Sequence, residues 1–219
     1  MNWFWRQITK IIKPVEPMGN PVTKEKFIEI TQLVIDGLEG GYYHPDMKKR
    51  FNEKSQKALG DSGETLFGLD RKHGSQLAKY PEWAEFWAMV DADRTKNPAL
   101  WKYQYRGGLL EAKLKALTAS IMYGWFSSLA SKYLKEAALK AIANDDRLII
   151  HFSYSSWNGE GWFKRYAQAL QSTLSTQTEK EAIFQQAIKA RTESSNPVIR
   201  QQGTNMIALF KKLPITTPF

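Results

Sequence analysis

Two short stretches carry the residue types that acid–base chemistry needs. "DGLEGGYYHPD", residues 36–46, puts one carboxylate, Glu39, ahead of two glycines, two tyrosines, a histidine and a proline. "GDSGETLFGLD", residues 60–70, supplies Asp61, Glu64 and Thr65 in a segment punctuated by glycine. An acid on the last turn of a helix meets the partial negative charge of unsatisfied carbonyls, so Glu39 is expected to hold its proton more tightly than a free glutamate. An apolar neighbour one turn back, Ile35, would desolvate it further, and a carboxylic acid that stays protonated near neutrality is what a general acid requires. A second carboxylate beside a hydroxyl holds and activates a water on the far side of a glycosidic bond, the arrangement of an inverting glycosidase. Each stretch alone has a plainer reading: a solvated glutamate in the first, and in the second an acidic turn whose Asp, Ser and Gly serve local hydrogen bonds.

The elements that must position these residues are legible as periodicity and punctuation. Thr23 is placed to cap a helix over 24–39, with Val22 and Phe27 as its hydrophobic staple and Phe27, Ile30, Val34 and Leu38 on one face; Gly40 and Gly41 then stop it. Residues 42–80 hold turn formers around the apolar pieces Leu66 to Leu69, which predicts a small irregular or β-hairpin lobe. Beyond it the helical pattern returns: after Pro81, from an Asn97-Pro98 start, over 109–123 and 125–143, from a capping box spanning Thr178 to Glu181, and from a second Asn-Pro start at Asn196. The fold class expected is mainly α (α+β), without internal repeats.

Composition narrows the setting. The chain has 219 residues, 42% of them hydrophobic, enough for one folded unit with a substantial core. Eight tryptophans and nine tyrosines exceed ordinary packing needs and suit a groove for sugars or other flat partners, although most such residues are core in most proteins. A net charge of +9 favours a polyanionic neighbour: nucleic acid, an anionic membrane or a bacterial wall. The basic run Lys48, Lys49, Arg50, Lys54 and Lys57 reads as a solvated face that could touch such a polymer.

The absence of cysteine excludes disulfides and thiolate zinc sites. His44, His73 and His151 lie in different segments without metal-pair spacing, so no metal is expected, and no phosphate loop, nucleophile elbow or dinucleotide fingerprint calls for a cofactor. No apolar run approaches the roughly 20 residues that span a bilayer, and the first residues lack the features of a secretory signal. Residues 1–21 read as an amphipathic tail and linker, fit to lie on a membrane surface, dock a partner or pack on the body formed by 22–219.

Glu39, Gly40, Gly41 and Tyr42, followed by Asp61, Gly63, Thr65, Gly68 and Leu69, form an ordered pair of motifs. That pair resembles the N-terminal signature of the glycoside hydrolase family 108 muramidases and, more distantly, the Glu/Asp/Thr arrangement of phage-type lysozymes. The resemblance covers roughly residues 27–75. It implies a lysozyme-like fold, a helical lobe and a small β-containing lobe flanking a sugar groove, with Glu39 as general acid and with Asp61 and Thr65 positioning the attacking water. Tyr154 to Leu170 looks like the Asn/Gly-rich helix junction and aromatic-bearing helix that such enzymes place across the groove. Tyr42, Tyr43, Glu64, Tyr154, Trp157, Asn158 and Trp162 are the expected sugar-binding residues.

Two departures from the pattern leave alternatives open. The interval from Glu39 to Asp61 is long, so Asp46 or Glu64 could supply the second carboxylate, and Ser-Gly-Glu stands where the family has Pro-Gly-Gly. The implied activity is cleavage of peptidoglycan by a monomer acting at the bacterial periplasm or wall, either released from the host cytoplasm or carried on a phage particle, with the N-terminal tail contacting an anionic membrane or a virion protein. No specific nucleic acid is expected as a partner. A lytic transglycosylase and a non-catalytic wall-binding or virion protein remain as alternatives.

Overall fold

The computed structural model describes residues 21–38, 64–71, 77, 79–101 and 108–211, together with the backbone of 42–43. Of the expected tail and linker, residues 1–21, all but Pro21 lie outside them. Eight helices and a three-stranded antiparallel sheet make up the described residues: α1 Lys24–Gly37, β1 Tyr42–Tyr43, β2 Thr65–Leu66, β3 Leu69–Asp70, α2 Pro81–Lys96, α3 Glu111–Tyr133, α4 Glu136–Ala143, α5 Asp146–Trp157, α6 Glu160–Leu174, α7 Lys180–Thr192 and α8 Pro197–Phe210. The chain is thus mainly helical with a small sheet near its N-terminal end.

Helix α5 is the axis of the body. Ten of its twelve residues are buried, and α1, α3, α4, α6, α7 and α8 all pack on it. A helix surrounded on every side is ordinarily apolar all round; this one carries three buried serines. Each serine hydroxyl donates to a carbonyl of its own helix, Ser153 to Ile150, Ser155 to His151 and Ser156 to Ser153, so small side chains admit close neighbours without orphaning a polar group. The N-terminus of α5 is set by Asp145, whose carboxylate accepts from the Arg147 backbone N–H (3.0 Å) and pairs with the Arg147 guanidinium (2.8 Å). Arg147 also reaches Glu181 on α7 (2.7 Å) and lies 3.9 Å above the Phe184 ring. A run of rings, Phe27 against Phe126, Phe126 against Phe163 and Phe163 against Phe152, joins α1, α3, α6 and α5 through the core.

Several sequence expectations hold in detail. Thr23 caps α1 by accepting from Lys26 N–H, Val22 and Phe27 are both fully buried, Pro81 opens α2, and Asn196 caps α8 by accepting from Val198 N–H at 2.9 Å.

Others are corrected. Helix α1 ends at Gly37, two residues short of the expected boundary, with Leu38 outside helical geometry at φ −120°. A Cβ on Gly37 would stand 3.1 Å from a Leu209 methyl, so glycine here admits α8 at the cost of helix propensity. The two segments predicted over 109–143 divide at 134–135 instead of at Gly124, which lies in the middle of α3; the Tyr80 ring occupies the space a Cβ would need there. Asn97 ends α2 instead of starting a helix: its backbone N–H and side-chain amide both bond to Asp93. Helix α7 starts from Glu179 without a side-chain cap, because Glu181 is turned to Arg147 and Gln185 instead of back to Thr178.

Candidate functional site

The sheet brings the two motif-bearing stretches together. In the antiparallel register Tyr42 faces Leu66 and Tyr43 faces Thr65, so the strand three residues after Glu39 pairs with the strand that holds the motif threonine. Thr65 then faces Asp70 across the β2–β3 hairpin, and Leu66 faces Leu69. Leu66 and Leu69 are fully buried, whereas Thr65 and Asp70 are half-buried on the opposite face. The hairpin turns through Phe67 and Gly68, both at positive φ (51° and 79°), which a two-residue turn of matching twist requires. Glycine adopts this freely; phenylalanine pays about 1–2 kcal/mol for it. Burial of the Phe67 ring, 3% exposed, contributes about 2–3 kcal/mol in return.

One cation connects this turn to the end of α1. Lys115 of α3 pairs with Asp36 on the last turn of α1 (2.5 Å) and with Glu111, and its ammonium stands 5.3 Å from the Phe67 ring centre. Partial burial works against its charge, but the hydrogen bonds to Asp36 and Glu111 outweigh it and raise Lys115 above the ordinary lysine range. The chain entering the Glu39 motif and the hairpin carrying Thr65 therefore meet at one ammonium.

Glu64 fastens the hairpin from the other side. Its carboxylate, 8% exposed, receives Arg71 at 2.9 Å and Arg94 of α2 as well. The Arg71 guanidinium also forms a two-pronged pair with Asp91 and lies 4.9 Å from the centre of the Trp87 ring. Hydrogen bonding to Asp91, with that to Glu64 added, raises Arg71 above the usual guanidinium range despite partial burial. The backbone N–H of Arg71 closes the hairpin onto the Glu64 carbonyl at 3.0 Å, and the Trp83 indole donates to the Asp70 carbonyl. Glu64 thus anchors the sheet to α2 and has little surface with which to meet a sugar.

Of the remaining site residues, Glu39 and Asp61 lie outside the described residues, as do Asp46, His44 and His73, and only the backbone of Tyr42 and Tyr43 is described. Trp157, Asn158 and Trp162 lie along the α5–α6 junction, where Asn158 closes α5 by donating its side-chain amide to the Tyr154 carbonyl (2.7 Å) and Gly159 takes φ +117° to start α6. Trp157 is half-buried against the core; Trp162 is half-buried too, stacks on Tyr166 with ring centres 6.1 Å apart and has the Arg165 guanidinium 5.7 Å from its centre. Tyr154 is 6% exposed and lies beneath Arg191, which makes its ring part of the core. Sequence reasoning missed Arg71, Arg94, Lys115 and Asp70. The last was signalled by the two residues between Leu66 and Leu69, which set Asp70 opposite Thr65; the others depend on contacts distant in sequence.

No group of three or more His, Cys, Asp or Glu suited to a metal ion occurs among the described residues. Comparison with protein-family models, with curated proteins and with solved structures gives no match to the chain.

Three measurements test the structure. Glu64→Gln keeps the shape of the side chain while leaving two guanidiniums against an amide, and the expected loss is about 2 kcal/mol in urea unfolding. Glu193→Gln, which removes an exposed partner of Lys189, is expected to change stability by less than about 0.5 kcal/mol. His151, fully buried on α5, is held well below the usual histidine range, first by burial and then by the charge of Arg191. Below about pH 6.5 the unfolded chain takes up a proton that the folded chain refuses. Stability should therefore fall as pH drops through that value, by up to about 1.4 kcal/mol per pH unit. Urea midpoints at pH 7.5, 6.5 and 5.5 should show this slope in the wild type and lose it in His151→Phe.

Proposed function

We propose that the chain is an N-acetylmuramidase of lysozyme-like fold, cleaving the β-1,4 bond between N-acetylmuramic acid and N-acetylglucosamine in peptidoglycan. The observation that carries this reading is the pairing of the two motif segments: β1, which follows Glu39, is hydrogen-bonded to β2, which holds Thr65, while Lys115 joins Asp36 to the hairpin turn. A glycosidase needs its acid and its water-holding group on two chain segments that flank one bond, and here the ordered motifs converge on a single sheet.

In this mechanism Glu39 donates a proton to the leaving glycosidic oxygen. Asp61 accepts a proton from water as it attacks the anomeric carbon, and the Thr65 hydroxyl orients that water. Engagement of Glu64 with Arg71 and Arg94 favours Asp61 over Glu64 for the base. The half-exposed face bearing Thr65 and Asp70 is where the glycan would lie, beside the β1 backbone at Tyr43 that pairs with Thr65. Trp157, Asn158 and Trp162 offer a second surface on which an N-acetyl sugar could stack or hydrogen-bond. The positive net charge supports work against a polyanionic wall, at the bacterial periplasm or cell wall, as a lysis enzyme or a particle-borne one.

Purified peptidoglycan treated with wild-type protein should release soluble muropeptides with N-acetylmuramic acid at the new reducing ends, read by mass spectrometry. Folded Glu39→Gln should release less than about one hundredth as much, the scale expected when a general acid is lost. Anhydro ends would make the enzyme a lytic transglycosylase, and no fragments from either protein on walls of several chemotypes would sink the enzymatic reading.

A further inference from the structure

The core between α5, α6, α7 and α8 encloses a cation that no carboxylate meets. Arg191 is 1% exposed; its Nη1 donates to Gln202 Oε1 at 2.9 Å and its Nη2 to Ser155 Oγ at 2.7 Å, both neutral acceptors. The guanidinium lies between two tyrosine rings, 5.3 Å from the centre of Tyr154 and 4.8 Å from that of Tyr166. Among the described residues no acid pairs with it. Arg147 makes an instructive contrast: it is buried to a similar degree near the other end of α5, and Asp145 and Glu181 both meet it.

Further unmet polar atoms surround the same place. Arg191 Nε, both ring nitrogens of His151 and the Tyr166 hydroxyl are buried without a hydrogen-bond partner. His151 is fully buried, with its ring centre 4.6 Å from that of Tyr166. Native interiors leave only a few such atoms unsatisfied; five others are scattered over the described residues, and here four come from three neighbouring side chains. Three of them can donate: the Arg191 Nε–H, one N–H of a neutral imidazole, and the Tyr166 O–H.

We propose that this cluster binds a small monovalent anion, a halide such as chloride, between α5, α6 and α7. The charge decides the class, because a water satisfies donors but leaves a guanidinium in the core uncompensated, whereas one halide neutralises it and accepts from the donors beside it. The burial decides the size, since Arg191, His151 and Tyr166 are each only 0–1% exposed and packed ring against guanidinium, which suits the smallest anions. Burial and the neighbouring Arg191 charge keep His151 neutral, so the site presents one positive charge to one negative ion. This site is independent of the proposed glycosidase chemistry and stabilises the α5–α7 core whatever the substrate.

The test uses the full chain crystallised from sodium bromide, with data collected at the bromine edge, and thermal unfolding in sodium chloride against sodium gluconate at equal ionic strength. The expected result is an anomalous peak within hydrogen-bonding reach of Arg191 Nε, and a Tm higher in chloride by about 4 °C or more. Tyr166→Phe, which removes one donor and keeps the ring, should cut that chloride increment by at least half. Absence of an anomalous peak at Arg191, or a chloride increment unchanged in Tyr166→Phe, would overturn the proposal. The bromide map of the wild type decides the matter alone should Tyr166→Phe fail to fold.

Discussion

Taking the Glu64 carboxylate out of water is tolerable only where cations replace the water, and this constraint ties the small sheet to the helical body. Arg71 comes from the hairpin itself and Arg94 from α2, so the pair of contacts crosses between elements instead of closing within one. Tryptophan rings carry the guanidiniums, Trp87 beneath Arg71 and Trp101 beneath Arg94, and Trp101 in turn donates to Asp93. A sheet of two-residue strands has too few hydrogen bonds to stand by itself in water. Its position comes from this polar clamp on one side and from Leu66, Phe67 and Leu69 entering the core on the other. Thr65 is held between the two, on a strand whose ends are both fastened.

The body that receives the sheet follows a similar rule. Helix α5 is buried along nearly its whole length, so every polar group on it needs a partner from its own backbone or a neighbouring helix. The serines bond back to the helix, and Arg147 is met by acids. His151 is the exception: both its ring nitrogens, like Arg191 Nε and the Tyr166 hydroxyl, are buried without a hydrogen-bond partner. A folded chain with this core tolerates neutral imidazole better than imidazolium, which links the packing of α5 to pH.

Much of the helical architecture was legible from sequence because its signals are local. Thr23, Pro81 and Asn196 act on the backbone within a few residues of themselves, and the structure uses each as expected. Glycines and competing partners were harder to read. Gly124 looks like a break in sequence but admits the Tyr80 ring, and Glu181 looks like half of a capping box but serves Arg147, since contact between distant segments outweighs local preference. The candidate site divides the same way. A small irregular or β-hairpin lobe was visible in the residue types, but the turn at Phe67 and Gly68 was not, since it lies inside the apolar stretch Leu66 to Leu69. The anchoring role of Glu64 was not, because it depends on an arginine thirty residues later; nor was the link from Asp36 to Phe67, which passes through Lys115 on a third element.

The central claim is that the sheet clamped by Glu64 is where a glycan meets the chain. Amide chemical shifts of Glu39→Gln, titrated with a soluble peptidoglycan fragment too short to cross-link, measure this directly. Changes concentrated at Tyr42, Tyr43, Thr65, Leu66 and Asp70, saturating together, are the expected result. Shifts confined to other surfaces, or none at concentrations well above those at which muramidase fragments bind their enzymes, would contradict the assignment of this sheet as the glycan site.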